Sequence, residues 1–177
     1  MKPMLIVFSG LPGTGKSRLA EDLARELGIP VFAKDWLEGS LRRSLESKGL
    51  AVGDALGYGG YDLLTSLAER QLMMGQSAIL DSVASFERIR HVWRELANRY
   101  QAGWRAIECV CSDESLQRSR LGQRQRGIPG WHELEWGEVE RVRGYYEVWT
   151  SQRLVVDAVN PYPQNLAAVM EYARGGV

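Results

Sequence analysis

Met4 to Leu27 reads MLIVFSGLPGTGKSRLAEDLAREL, and three kinds of local order follow one another in it. Met4 to Ser9 is an unbroken apolar run, the pattern of a central parallel strand covered on both faces. Lys16 to Leu27 places Leu19, Leu23, Ala24 and Leu27 at helical spacing, with Glu21, Asp22 and Arg25 on the polar side and Gly28 as the stop. Between them Gly10 to Ser17, GLPGTGKS, fits G-x-x-x-x-G-K-[ST] in the strand-to-helix context that this pattern requires.

Each residue of that loop has a physical task. Gly10, Gly13 and Gly15 allow backbone conformations closed to other residues, so that successive N–H groups turn inward around an anion while the helix N-terminus adds partial positive charge. Lys16 reaches the β- and γ-phosphates, and Ser17 offers a hydroxyl to Mg²⁺. Thr14 and Arg18 flank these two and complete the expected nucleotide-binding set. A nucleoside triphosphate with magnesium is the implied ligand.

Outward from this stretch, short apolar runs alternate with helical ones, the signature of a parallel sheet wrapped by helices. Four more strands are expected, at Pro30 to Ala33, Ala78 to Asp81, Arg105 to Val110 and Arg153 to Val156. Helices are expected around Leu63 to Leu72 and Ile89 to Leu96, after an N-cap at Ser112, and after Pro163 through Leu166, Val169 and Met170. Gly53 to Gly60 and Gly127 to Gly130 read as loops.

The whole chain of 177 residues, 45% of them hydrophobic, suits one domain spanning 1–177. Twenty-two basic side chains balance 22 acidic ones, which excludes a broad nucleic-acid coat, yet 18 of the basic residues are arginines, whose planar fork grips phosphates. With no apolar run of 18 residues, no membrane partner is expected, and the chain is placed in the cytosol. Cys109 and Cys111 are expected buried and reduced on a strand, and neither they nor His91 and His132 form a metal set.

Several nucleotide-protein classes fall away. No Asn-Lys pair exists to read guanine, and the D-x-x-G match at Asp54 to Gly57 lies in the glycine-rich stretch and reads as accidental. Motor and AAA+ machines carry a strand ending in paired acids, whereas the third strand here ends in Asp81 alone. One carboxylate beside the phosphate loop suffices for a hard ion that keeps several waters, although Asp81 also reads as a cap or as a hydrogen-bond partner of Ser17 or Ser82. Asp35, after the second strand, lies at the edge where open α/β sheets bind ligands; it also reads as the cap of a helix beginning at Trp36. Arg118, Arg120, Arg124 and Arg126 crowd into nine residues, with Arg120 and Arg124 spaced for one helix face, though a solvated charged face has the same pattern.

GLPGTGKSRLAEDLARELGIPVFAKDWL, then AILDSVAS, then LQRSRLGQRQRG, in this order, resemble the small P-loop kinases that include polynucleotide kinase, zeta toxins and chloramphenicol phosphotransferase. The resemblance implies a P-loop NTPase three-layer α/β/α sandwich, nucleoside-monophosphate-kinase-like, with a five-stranded parallel sheet in the order 2-3-1-4-5 and a helical lid around 118–132. It implies transfer of the γ-phosphate of ATP, with Mg²⁺, to a hydroxyl acceptor: a small molecule first, a polynucleotide 5′-hydroxyl as the alternative. A non-catalytic ATP-binding regulatory module is the reading from another class. By resemblance Asp35 is the general base, Asp81 serves the metal with Ser17, Arg120 lies over adenine, and Arg124 or Arg126 joins Lys16 at the transferring phosphate. Asp157 to Pro163 then borders adenine, and Trp36 to Tyr61 with Trp131 to Tyr146 build the acceptor pocket. Trp131, Trp136 and Trp149 read mainly as core, or as an aromatic wall for an acceptor ring.

Overall fold

The computed structural model describes residues 2–53 and 55–175. Its strands are β1 (Met4–Ser9), β2 (Val31–Ala33), β3 (Ala78–Asp81), β4 (Gly103–Val110) and β5 (Leu154–Asp157). Its helices are α1 (Lys16–Leu27), α2 (Lys34–Glu46), α3 (Ala55–Met73), α4 (Glu87–Arg99), α5 (Glu114–Gln123), α6 (Trp136–Tyr145) and α7 (Tyr162–Ala173). The strands form one parallel sheet in the order β2-β3-β1-β4-β5, the order that the resemblance implies.

The apolar run of β1 divides between two cores because successive side chains of a strand point to opposite faces. Leu5 and Val7 pack with Leu64, Ala68, Trp93 and Leu96 of α3 and α4. Ile6 and Phe8 pack with Leu19, Leu23 and Val169 of α1 and α7. Register then fixes the functional edge: Asp81 lies beside Phe8 on one side and Ala33 on the other. The phosphate loop, the residue pair Lys34–Asp35 and the carboxylate of β3 therefore emerge together at the C-terminal edge, where such sheets bind ligands.

The local reading fails in several places. The Gly53 to Gly60 loop is overturned from Ala55 onward, since Gly57, Gly59 and Gly60 belong to α3. Gly60 must be bare, because a Cβ there would press into the Glu38 carboxylate of α2. The helix α2 starts at Lys34, not Trp36, with Ala33 as N-cap, so Asp35 sits in the first turn and caps nothing. The cap of α5 is Asp113, not Ser112; its carboxylate accepts from the Leu116 N–H at 3.0 Å.

The helix α5 ends at Gln123, leaving Arg124 as an extended C-cap (φ −75°, ψ 130°), so Arg120 and Arg124 do not share a helix face. The last helix begins at Tyr162 with Pro163 inside its first turn, where a fixed φ and a missing N–H cost nothing. Cys109 is buried, but Cys111 lies one residue past β4 and is only half-buried. No signal anticipated α6.

Candidate functional site: a phosphate loop facing an arginine lid

Three glycines of the loop take positive φ: Gly10 at 129°, Gly13 at 86° and Gly15 at 81°. At Gly10 space is decisive as well, because a Cβ would run into the Cys109 carbonyl of β4. The loop is also tied from within by the Thr14 hydroxyl, which donates to the Leu11 carbonyl at 2.8 Å. Since α1 begins at Lys16 with Gly15 as its cap, the unpaired N–H groups of the first turn face the loop. Lys16 is only 4% exposed, an unusual place for a flexible cation unless its ammonium serves a ligand.

Asp81 is equally buried, and its Oδ1 has no hydrogen-bond partner. Burial raises its carboxyl above the ordinary value, while the Lys16 charge and the Ser17 hydroxyl pull the other way. An orphaned carboxylate oxygen beside a serine hydroxyl at the phosphate loop is a hard-oxygen pair that fits Mg²⁺. Among the described residues no group of three or more His, Cys, Asp and Glu could hold a metal by itself. The phosphates and water would complete the shell.

A cleft of about 690 Å³ runs along the loop, lined by Gly13 to Arg18, Trp36, Arg120, Arg124, Arg126 and Tyr162 among others. Arg120 donates to the Ala158 carbonyl at 2.9 Å, which joins α5 to the loop after β5. Ala158 and Asn160 of that loop line the cleft. Arg18 lies over the Tyr162 ring, 4.0 Å from its centroid. Arg118, by contrast, turns away from the cleft to Trp136.

Arg126 forms an ion pair with Asp35 across 91 residues of sequence. Arg124 stands beside it with Nε and Nη2 unpartnered, and its nearest carboxylate, that of Glu133, is 3.8 Å away. Burial, reinforced by the neighbouring Arg126 charge, lowers the Arg124 guanidinium from its ordinary value. Two crowded cations facing a phosphate loop gain stability from an incoming polyanion. The segment that carries them is docked on α2, where Ile128 is buried and Gly130 meets the bare backbone of Gly39.

The structure thus brings Gly13 to Arg18, Asp35, Asp81, Arg120, Arg124 and Arg126 to one edge of the sheet, while Gly10 supports the loop from behind. Asp54 of the D-x-x-G match lies outside the described residues. Of the tryptophans, Trp149 is core, whereas Trp131 and Trp136 are half-buried. Tyr145 stacks on Phe86 with centroids 5.5 Å apart. Sequence reasoning missed Gln117, which touches the phosphate loop, and the fully buried Arg90, which holds the chain after β3. Both are polar residues within helices, and only the tertiary structure distinguishes them from surface positions.

The fold and the loop together define a kinase-like P-loop protein. The chain belongs to the AAA domain family AAA_33, whose model matches residues 5–143. A UPF0200 protein of Aeropyrum pernix is 33% identical over 143 residues, covering 75% of this chain and 71% of the relative. A candidate kinase from Chloroflexus aurantiacus superposes with TM-score 0.72 at 23% identity, covering all of both chains. Kti12 of Chaetomium thermophilum, crystallised with ADP-AlF3, superposes with TM-score 0.73 at 19% identity over 98% of each chain. These likenesses support a nucleotide-dependent kinase or an ATP-binding module. No helix among the described residues is long and apolar enough to cross a membrane.

Proposed function

We propose that this protein, acting as one domain in the cytosol, transfers the γ-phosphate of ATP to a hydroxyl group of a small-molecule acceptor. The reading rests in part on the resemblance of its motifs to those of the small kinases that include polynucleotide kinase, zeta toxins and chloramphenicol phosphotransferase. The observation that carries the reading is the Asp35–Arg126 pair, since a protein that only holds ATP needs no carboxylate at that edge facing a lid arginine.

The loop N–H groups and Lys16 hold the β- and γ-phosphates, and the Tyr162 and Arg120 side of the cleft receives the base. Ser17 and Asp81 would hold magnesium, which would supply neutralisation of phosphate charge. The acceptor oxygen attacks the γ-phosphorus, the bond to the β–γ bridging oxygen breaks, and the hydroxyl proton passes to the Asp35 carboxylate. Arg124 and Arg126 neutralise charge on the transferring group. Arg126 must therefore exchange Asp35 for phosphate during the cycle, which frees the carboxylate as a base at the moment the phosphate is engaged.

The test is transfer of labelled γ-phosphate to a panel of nucleosides, sugars, aminoglycoside- and chloramphenicol-like compounds and 5′-hydroxyl oligonucleotides, followed by Asp35→Asn. Asp35→Asn should bind ATP as the wild type does but transfer about 10² to 10⁴ more slowly. Wild-type turnover in that variant removes Asp35 as the base. Labelling of the oligonucleotides alone would favour the polynucleotide reading, which the zero net charge disfavours.

A further inference from the structure

We infer that Gln117 is a positioning residue for the phosphate loop, aiming the Gly13 N–H at the phosphates from behind. The inference rests on the reading that the loop holds the phosphates of ATP. Gln117 lies on α5 at 2% exposure, and both ends of its amide are engaged. Its Nε2 donates to the Pro12 carbonyl at 2.7 Å, across 105 residues of sequence. Its Oε1 accepts from Arg143 Nη2 of α6 at 3.4 Å, and Arg143 Nη1 pairs with Glu114 Oε2 at 2.9 Å.

The peptide geometry makes the first of these bonds consequential. In a trans peptide the C=O of one residue and the N–H of the next point in opposite directions within one plane. Holding the Pro12 carbonyl on the α5 side therefore turns the Gly13 N–H away from α5. Gly13 lines the cleft, so this N–H is directed to the phosphate side. The preceding peptide, Leu11–Pro12, carries no N–H at all, and its carbonyl is occupied by the Thr14 hydroxyl. Gly13 thus supplies the first orientable N–H after Leu11, and Gln117 is the side chain that sets it.

Packing supports the same assignment. A Cβ on Gly13 would stand 3.1 Å from Gln117 Cγ and 3.1 Å from the Gln117 carbonyl, so the loop backbone lies directly on this residue. Gly13 holds φ 86°, a backbone conformation that side-chain-bearing residues rarely adopt, so the loop's path at this point rests on glycine and on the Gln117 contact together. Because α5 also carries Arg120 and leads into Arg124, the anchor joins the phosphate loop to the base of the lid.

Two variants of nearly constant shape separate loop positioning from ordinary core packing. Gln117→Met loses both hydrogen bonds; Gln117→Glu keeps an acceptor for Arg143 but loses the donor to Pro12. Calorimetric binding of ATP with magnesium is measured first on the wild type, and absence of binding there refutes the phosphate-binding reading, not this one. Given wild-type binding, both variants should bind about tenfold more weakly, the scale of one buried hydrogen bond. In both, hydrogen exchange at the Gly13 amide of the nucleotide-free protein should quicken while that of β1 stays unchanged. Wild-type affinity in Gln117→Met, or recovery of affinity in Gln117→Glu, overturns the inference and leaves Gln117 as a brace between α5 and α6. Should Gln117→Met not fold, Gln117→Glu alone decides.

Discussion

Gly39 tests how the arginine lid is held, because it sits on α2 where the lid backbone comes closest. A Cβ there would stand 2.8 Å from the Pro129 carbonyl oxygen, 3.0 Å from Ile128 Cγ2 and 3.4 Å from Trp131 Cβ. In Gly39→Ala two effects oppose each other. Alanine in a helix interior is favoured over glycine by about 1 kcal/mol. Against this, the nearest atom is a backbone oxygen that cannot rotate away, and overpacking of this kind costs about 1–3 kcal/mol. Releasing the lid instead uncovers Ile128, now 5% exposed, at about 1.5–3 kcal/mol.

The two costs are similar, so the lid equilibrium should move while global stability barely does. Thermal unfolding should shift by no more than about 4 °C, the scale of 1 kcal/mol in a domain this size. Lid docking should weaken by about 5- to 100-fold, from the same 1–3 kcal/mol at roughly 1.4 kcal/mol per decade. The assay is hydrogen exchange at the Trp131 and Arg126 amides, which bond to the Ile128 carbonyl and the Glu133 carboxylate within the docked segment. ATP affinity should hold, since Gly39 does not line the nucleotide cleft, while phosphate transfer should fall with lid docking. Unchanged exchange in 126–131 together with a simple rise in stability would refute the docking argument.

Burial raises the Asp81 carboxyl, so its influence on stability has a definite sign. The stability associated with its proton is complete below the ordinary carboxylate value of about 4 and is lost as pH rises through the raised value. Asp81→Asn should therefore gain on the wild type in melts of the nucleotide-free protein as pH increases, while losing the magnesium dependence of ATP binding; a pH-independent difference would contradict this. Arg90 is fully buried, donating to the Ala84 carbonyl at 2.7 Å and the Glu147 carbonyl at 2.8 Å and lying over the Trp149 ring. Arg90→Met should cost about 3 kcal/mol, read as a fall of roughly 6–12 °C in melting temperature, because it strands the buried Ala84 carbonyl and removes the tie to Glu147.

The nucleotide half of the site was legible because its chemistry is local: eight consecutive residues carry the glycines, the lysine and the hydroxyl, and the flanking strand and helix are written in their own periodicities. The alternation of strands and helices indicated a parallel sheet, but its order came from the resemblance to small P-loop kinases and not from local pattern. Gly57 to Gly60 misled for the converse reason. Glycine content is a local signal for a loop, but at Gly60 the deciding fact is a close crossing with Glu38, 22 positions earlier in the chain. Likewise nothing in the sequence shows that α5 stops at Gln123, which is why Arg124 was expected on a helix face and is found extended.

The acceptor half depends on contacts that no local pattern records, and its geometry has a consequence for mechanism. Lid and α2 meet at intervals of one helical turn: Arg126 on Asp35, Ile128 and Pro129 on Gly39, Gly130 on Gly39 and Arg43. These residues of α2, four apart, form one face, so the docked segment follows the helix, and the contacts at Gly39 and Arg43 hold it there independently of the Arg126 ion pair. On the proposed mechanism, an acceptor hydroxyl that reaches Asp35 competes with Arg126 for its carboxylate, and a displaced Arg126 guanidinium has the phosphate loop within the same cleft. If the proposed mechanism holds, acceptor entry and arginine delivery are one exchange of partners at Asp35, which would tie transfer to the presence of both substrates without a separate regulatory element.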